Sequence, residues 1–110
     1  MQLGLTDIDF KDIETGKKIV EVRAPSNSKN YAKLSIGDEI IFINETTQEK
    51  LTKKLRYIHF YHTAQELYHQ EKVENINPGL TTEAALEKLF SIPTYKERIE
   101  IEGVYAIGIE

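Results

Sequence analysis

The 110-residue chain contains no cysteine. That absence excludes a disulfide framework, a thiolate metal site and a cysteine nucleophile, and it fits a reducing cytoplasm. No apolar stretch approaches the roughly 20 residues needed to cross a bilayer. Met1-Gln2-Leu3-Gly4 also lacks the basic and apolar segments of a signal peptide. The expectation is a cytoplasmic location without membrane contact. Several catalytic signatures are missing too. His59, His62 and His69 belong to no H-E-x-x-H or other metal pattern. There is no G-x-G-x-x-G, no P-loop and no G-x-S-x-G elbow. Neither a metal nor a cofactor is expected.

Positive charge is scarce: 14 Lys+Arg stand against 18 Asp+Glu, a net charge of −4. This argues against a tight, non-specific nucleic-acid binder. The imbalance is uneven, however. Residues 1–59 carry 10 basic and 9 acidic side chains, and residues 60–110 carry 4 and 9. Most basic residues fall in two stretches, Lys11 to Lys33 and Lys50 to Arg56. Two readings follow, a local basic surface on an acidic protein or ordinary solvated polar faces.

The length favours one domain over residues 1–110. Thr6 is placed to cap a helix over 7–15, with Asp7 and Asp9 facing its positive end and Gly16 closing it in a left-handed conformation. Strand signals follow at Ile19–Ala24 and Glu39–Ile43. Leu51–Tyr61 reads as a long strand whose mixed alternation implies a bulge. Thr63-x-x-Glu66 is a capping box before a helix over 64–70. Thr81 or Thr82 caps another over 82–91, with Ala85, Leu86, Leu89 and Phe90 inward and Pro93 ending it. Ile99, Ile101, Tyr105, Ile107 and Ile109 share one parity, and the last strand is placed at about Val104–Ile109. Loops are expected at Ala24–Tyr31, Glu45–Lys50 and Asn75–Leu80. With no regular βαβ rhythm, this order predicts an α+β, mainly β fold: a small, largely antiparallel barrel decorated by short helices.

The main polar constellation is Lys18, Glu21 and Arg23. Two apart on a strand, Glu21 and Arg23 point to one face. Lys18 joins them only if Gly16-Lys17-Lys18 is irregular, which the glycine permits. In a cleft, such a cluster holds a phosphate or carbonyl oxygen with its cations, while the carboxylate orients a base, a water or the lysine. The competing reading is a structural Glu21–Arg23 ion pair at a barrel rim. Tyr57, His59 and Tyr61 share one strand parity. They read either as an aromatic wall for a stacked base or as core tyrosines beside an exposed histidine.

These residues also carry a resemblance. The run F-x-x-I-x-x-G-x-K-x-x-E-x-R from Phe10 to Arg23 is followed by G-D-x-I-x-F from Gly37 to Phe42. Then come Tyr61, Pro78-Gly79, T-x-E-x-A-L at Thr81–Leu86 and Gly103-Val104-x-Ala106-Ile107. This ordered set resembles small prokaryotic members of the ASCH (activating-signal-cointegrator homology) family, whose fold is similar to the PUA RNA-binding domain. The resemblance implies a PUA-like antiparallel barrel with a cleft beside it. It assigns binding of RNA or a small nucleotide or nucleoside ligand to Lys18, Glu21 and Arg23, with Tyr61 nearby. One branch of the family, the acetylcytidine amidohydrolases, uses a Lys, a Thr three residues later and a distant Glu. Lys18 matches that lysine, Glu21 stands where the Thr would be, and Glu74 is the candidate for the distant Glu. An alternative activity follows, amide hydrolysis on a modified nucleoside with Lys18 as nucleophile or base and Glu21 as orienting group or general base.

Overall fold

A computed structural model describes residues 1–110. Strand β1 (Gln2–Leu5) leads into helix α1 (Asp7–Glu14) and strand β2 (Val20–Arg23). After a 3-10 turn at Tyr31–Lys33 come β3 (Glu39–Asn44) and the long β4 (Lys50–Tyr61). Four helices follow, α2 (Ala64–Glu71), α3 (Val73–Ile76), α4 (Thr82–Phe90) and α5 (Tyr95–Glu102), before the final strand β5 (Val104–Ile109). No helix is long and apolar enough to cross a membrane.

The caps are those the residue pattern demands. The hydroxyls of Thr6, Thr63 and Thr81 accept from the amides of Asp9, Glu66 and Ala84 at 3.3, 3.1 and 3.1 Å. Each satisfies an amide that its helix cannot pair internally. Gly16 sits just beyond α1 with φ +81°, where a side chain would be strained.

The strands form one mixed sheet in the order β1-β3-β4-β5-β2. Only the β1–β3 pair is parallel. The sheet curls into a half-barrel whose two edge strands, β1 and β2, are not paired to each other. The predicted mainly antiparallel barrel is thus realised with an additional parallel edge strand. Inside the curl, Leu3, Phe10, Ile13, Phe42 and Ile107 form one core under α1. On the other face, Val22, Leu67, Ala85, Leu89 and Ala106 form a second core under α2 to α5.

A bulge in β4 divides the strand between these cores. Leu55 opposes Ile109 and Tyr57 opposes Gly108, so Arg56 is the extra residue. The insertion flips the side-chain parity. Leu55, Ile58 and Phe60 therefore face the curl, while Tyr57 and Tyr61 pack toward the helices. The Tyr57 ring lies on Gly108, where an added Cβ would collide with it.

Two expectations need correction. Ile99 and Ile101 do not extend the last strand's alternation; both lie on α5, with Ile99 buried and Ile101 82% exposed. Residues two apart on a helix point about 200° apart, so the shared parity was not a strand signal. The loop expected at Asn75–Leu80 is entered by α3, which ends at Ile76.

Candidate functional site

The unpaired edges of β1 and β2 leave a seam, and the Lys18–Glu21–Arg23 constellation sits in it. After α1, residues Gly16–Ile19 are irregular. The amide of Lys18 donates to Asp12 O and that of Ile19 to Asn75 O, both at 2.9 Å. This swings the Lys18 side chain to the same side as Glu21. Lys18 Nζ reaches Glu21 Oε1 at 3.2 Å and donates to Ile76 O at 2.9 Å. Arg23 Nε donates to the other carboxylate oxygen at 2.8 Å. Arg23 Nη2 spans the seam to Gly4 O, also at 2.8 Å. One arginine thereby laces β2 to β1, where the backbone does not close the barrel.

All three groups are withdrawn from solvent, with side-chain exposures of 2% for Lys18, 8% for Glu21 and 17% for Arg23. Burial acts to raise the Glu21 carboxyl, but the charges and hydrogen bonds of Lys18 and Arg23 prevail and hold it below its ordinary range. Burial likewise opposes the Arg23 charge, and the Glu21 carboxylate, by its charge and its hydrogen bond, more than restores it. Such a group survives burial because each charge has a partner and a hydrogen bond.

The constellation forms the floor of a cleft of about 280 Å³. Its apolar wall includes Val22, Leu89 and Ile92, and its polar wall adds Tyr68, Asn77 and Tyr95. At the cleft, Lys88 of α4 reaches Asp9 of α1 at 3.4 Å. Burial raises the Tyr68 hydroxyl, and the Glu21 and Asp9 charges raise it further, so Tyr68 is a donor here. Its hydroxyl lies 3.4 Å from Asn77 Oδ1. Tyr68, Asn77, Lys88 and Tyr95 were not singled out in the sequence. They come from α2, from α4 and α5 and from the segment after α3, and only the packing of those helices over the seam unites them. The single local cue was the Asn77-Pro78-Gly79 turn.

Two residues named with the site stand elsewhere. Tyr61 does not line the cleft. Its parity on β4 turns it toward α2, where its hydroxyl donates to Glu71. Glu74 is an exposed residue of α3 and also lies outside the cleft. Glu71 is instead the centre of a separate cluster. Tyr57 donates to its Oε1 at 2.6 Å, His59 Nδ1 lies 2.8 Å from its Oε2, and the Tyr57 and His59 rings stack with centroids 4.2 Å apart.

The family model of the ASCH domain matches residues 3–110. The crystal structure of the hypothetical protein PH0355 is similar, with a TM-score of 0.84 and 30% identity over 99% of this chain and 95% of that one. The solution structure of PF0455 from Pyrococcus furiosus has a TM-score of 0.76 and 26% identity, covering 99% and 94%. An ASCH protein from Zymomonas mobilis shares the fold at a TM-score of 0.64 and 16% identity, with 99% of this chain matching 65% of that one. No curated protein matches the chain. A family model spanning nearly every residue, together with these neighbours, settles the relationship: the chain belongs to the ASCH domain family.

Proposed function

We propose that the seam cleft binds one base or nucleotide, free or within an RNA, and that Lys18, Glu21 and Arg23 recognise its polar edge. The PUA-like fold of ASCH domains is the context. The observation that carries the reading is the charge-balanced, buried Lys18–Glu21–Arg23 group at the floor of a cleft with a substantial apolar wall. A phosphate placed deep in the cleft would face the carboxylates of Glu21, Asp9 and Glu45. A nucleobase suits it better, because its flat ring covers the apolar wall and its edge offers both donors and acceptors. Asn77 and Tyr68 add further polar contacts at that edge. The volume of about 280 Å³ lies just below the usual range of about 300–1,000 Å³ for small-ligand sites, and it suits a single base or nucleoside rather than a larger ligand.

Amide hydrolysis with Lys18 as nucleophile requires a free lone pair on Nζ. Lys18 instead directs protons to Ile76 O and to the Glu21 carboxylate, and this favours binding over turnover. Calorimetric titration with the four nucleoside monophosphates and with short RNA tests the proposal. Lys18→Ala and Arg23→Ala are each expected to weaken binding by about 1–3 kcal/mol, the cost of losing a hydrogen bond to a charged group. Glu21→Gln keeps the shape and is expected to change base preference. Melting curves control for folding. Unchanged affinity in both folded cation variants would place the binding surface elsewhere, and hydrolysis of a modified nucleoside would favour the enzymatic alternative.

A further inference from the structure

Across the sheet, Arg23 of β2 pairs with Tyr105 of β5, and Tyr105 pairs with Phe60 of β4. Directly opposed residues point to one face. The row therefore starts at the cleft's own arginine and runs over the mouth of the half-barrel. Its rings are continuous. Tyr31 and Tyr105 have centroids 5.8 Å apart, and Phe60 lies 5.3 Å from Tyr105 on one side and 5.3 Å from His62 on the other. Phe60 is 45% exposed although it is wholly apolar. Its ring is held over Gly103, where an added Cβ would collide with it, so it is presented in a fixed position. Beside the row, the segment 25–30 encloses a recess of about 330 Å³ against Tyr31 and Tyr105, and Lys29 and Asn27 line it. Arg98 of α5 ties this segment down by donating to Pro25 O.

An exposed Phe60 and His62, backed by the half-buried Tyr105 and the buried Tyr31 and joined through Arg23 to a base-sized cleft, have the composition of a single-strand stacking platform. Two strand spacings separate the Phe60 backbone from that of Arg23, about 10 Å, or roughly three stacked nucleotide steps at about 3.4 Å each. We propose that the ligand is a single-stranded RNA in which a base about three steps from the one in the cleft stacks on the face of Phe60 at the barrel mouth, with His62 and Tyr105, whose rings stand edge-on to Phe60, flanking it and Lys29 at its phosphate. The proposal rests on the cleft reading above and extends it from a nucleotide to a strand. Because the chain is acidic overall, stacking supplies more of the affinity than charge does.

The chain has no tryptophan, so Phe60→Trp places a unique fluorophore on the platform. Homohexamers of each RNA base and the matching monophosphates serve as probes. A hexamer is expected to quench the indole emission of the Phe60→Trp variant and to bind more tightly than its monophosphate. Phe60→Ala is expected to weaken hexamer binding about 5- to 150-fold, the worth of one stacked base, and to leave monophosphate binding unchanged. Phe60→Tyr should restore the affinity, and Arg23→Ala should weaken both ligands. Melting curves check that each variant is folded. A hexamer that binds no more tightly than the monophosphate and ignores Phe60→Ala overturns the platform and leaves the cleft reading standing. A hexamer that depends on Phe60 while monophosphates ignore Arg23→Ala supports the platform and overturns the cleft. Absence of hexamer binding overturns the proposal. So does a self-association that Phe60→Ala abolishes in sedimentation without any response of the emission to RNA.

Discussion

Glu21→Ala is expected to destabilise the fold by about 3–5 kcal/mol, the cost of removing one partner from a buried ionic group. The substitution leaves Lys18 with a 2% exposed ammonium facing no carboxylate, and it frees Arg23 Nε. It also releases the arginine from the geometry that carries it to Gly4 O, so the seam between β1 and β2 loses its lace as well as its charge balance. Denaturant titration measures the effect directly. A loss below about 1 kcal/mol would mean that the pair behaves as an exposed one, contrary to its burial. The pH dependence has a definite sign. Glu21 is lowered from its ordinary 4.5 in the folded chain. Its contribution is therefore present above 4.5 and is lost as pH falls through the lower folded value. The Glu21→Ala variant should be nearly as stable as the wild type at the acid end, fall behind it as pH rises through the lowered folded value, and show its full, constant deficit above 4.5.

The same residues explain how far the sequence could be read. Lys18, Glu21 and Arg23 lie within six positions of one another, beside a glycine. Their convergence depended on one local question, whether Gly16–Lys18 stays irregular, and the chain answers it with the Lys18 and Ile19 amides pairing outside any strand. The caps at Thr6, Thr63 and Thr81 were equally local. The bulge announced itself through broken alternation, although only the register identifies Arg56 and places Tyr61 against α2, where it meets Glu71. Less local features did not show. β1 has four residues, one of them glycine, and it is a strand because β3 accepts it as a parallel partner. α5 carries Ile99 and Ile101 on different sides and little amphipathic pattern, so no periodicity marks it. Tyr68, Asn77 and Tyr95 came to line the cleft only when helices far along the chain closed over the seam.

Glu71→Ala is expected to cost about 3 kcal/mol, roughly the net worth of two hydrogen bonds to a charged group. Its carboxylate, 5% exposed, accepts from Tyr57 and Tyr61 and faces His59 Nδ1. In this way it ties the end of α2 to the part of β4 beyond the bulge. Burial acts to raise this carboxyl, but the Tyr57, Tyr61 and His59 hydrogen bonds outweigh it and hold the group below its ordinary 4.5. The stabilisation is therefore full above 4.5 and is lost as pH falls through the folded value. Burial and the bond to Glu71 raise both tyrosine hydroxyls, which keeps them protonated donors at neutral pH. Tyr61→Phe removes one donor and leaves the carboxylate two partners, so it should cost about 1–2 kcal/mol. A double-mutant cycle between Glu71→Ala and Tyr61→Phe should then show a coupling of about 1 kcal/mol or more. None of these changes touches the seam cleft, so Glu71→Ala should leave nucleotide affinity as it is in protein that remains folded. A Glu71 variant that keeps its stability and loses ligand binding would transfer the functional role from the seam to this cluster, and with it the part in recognition that the Tyr61 resemblance implied.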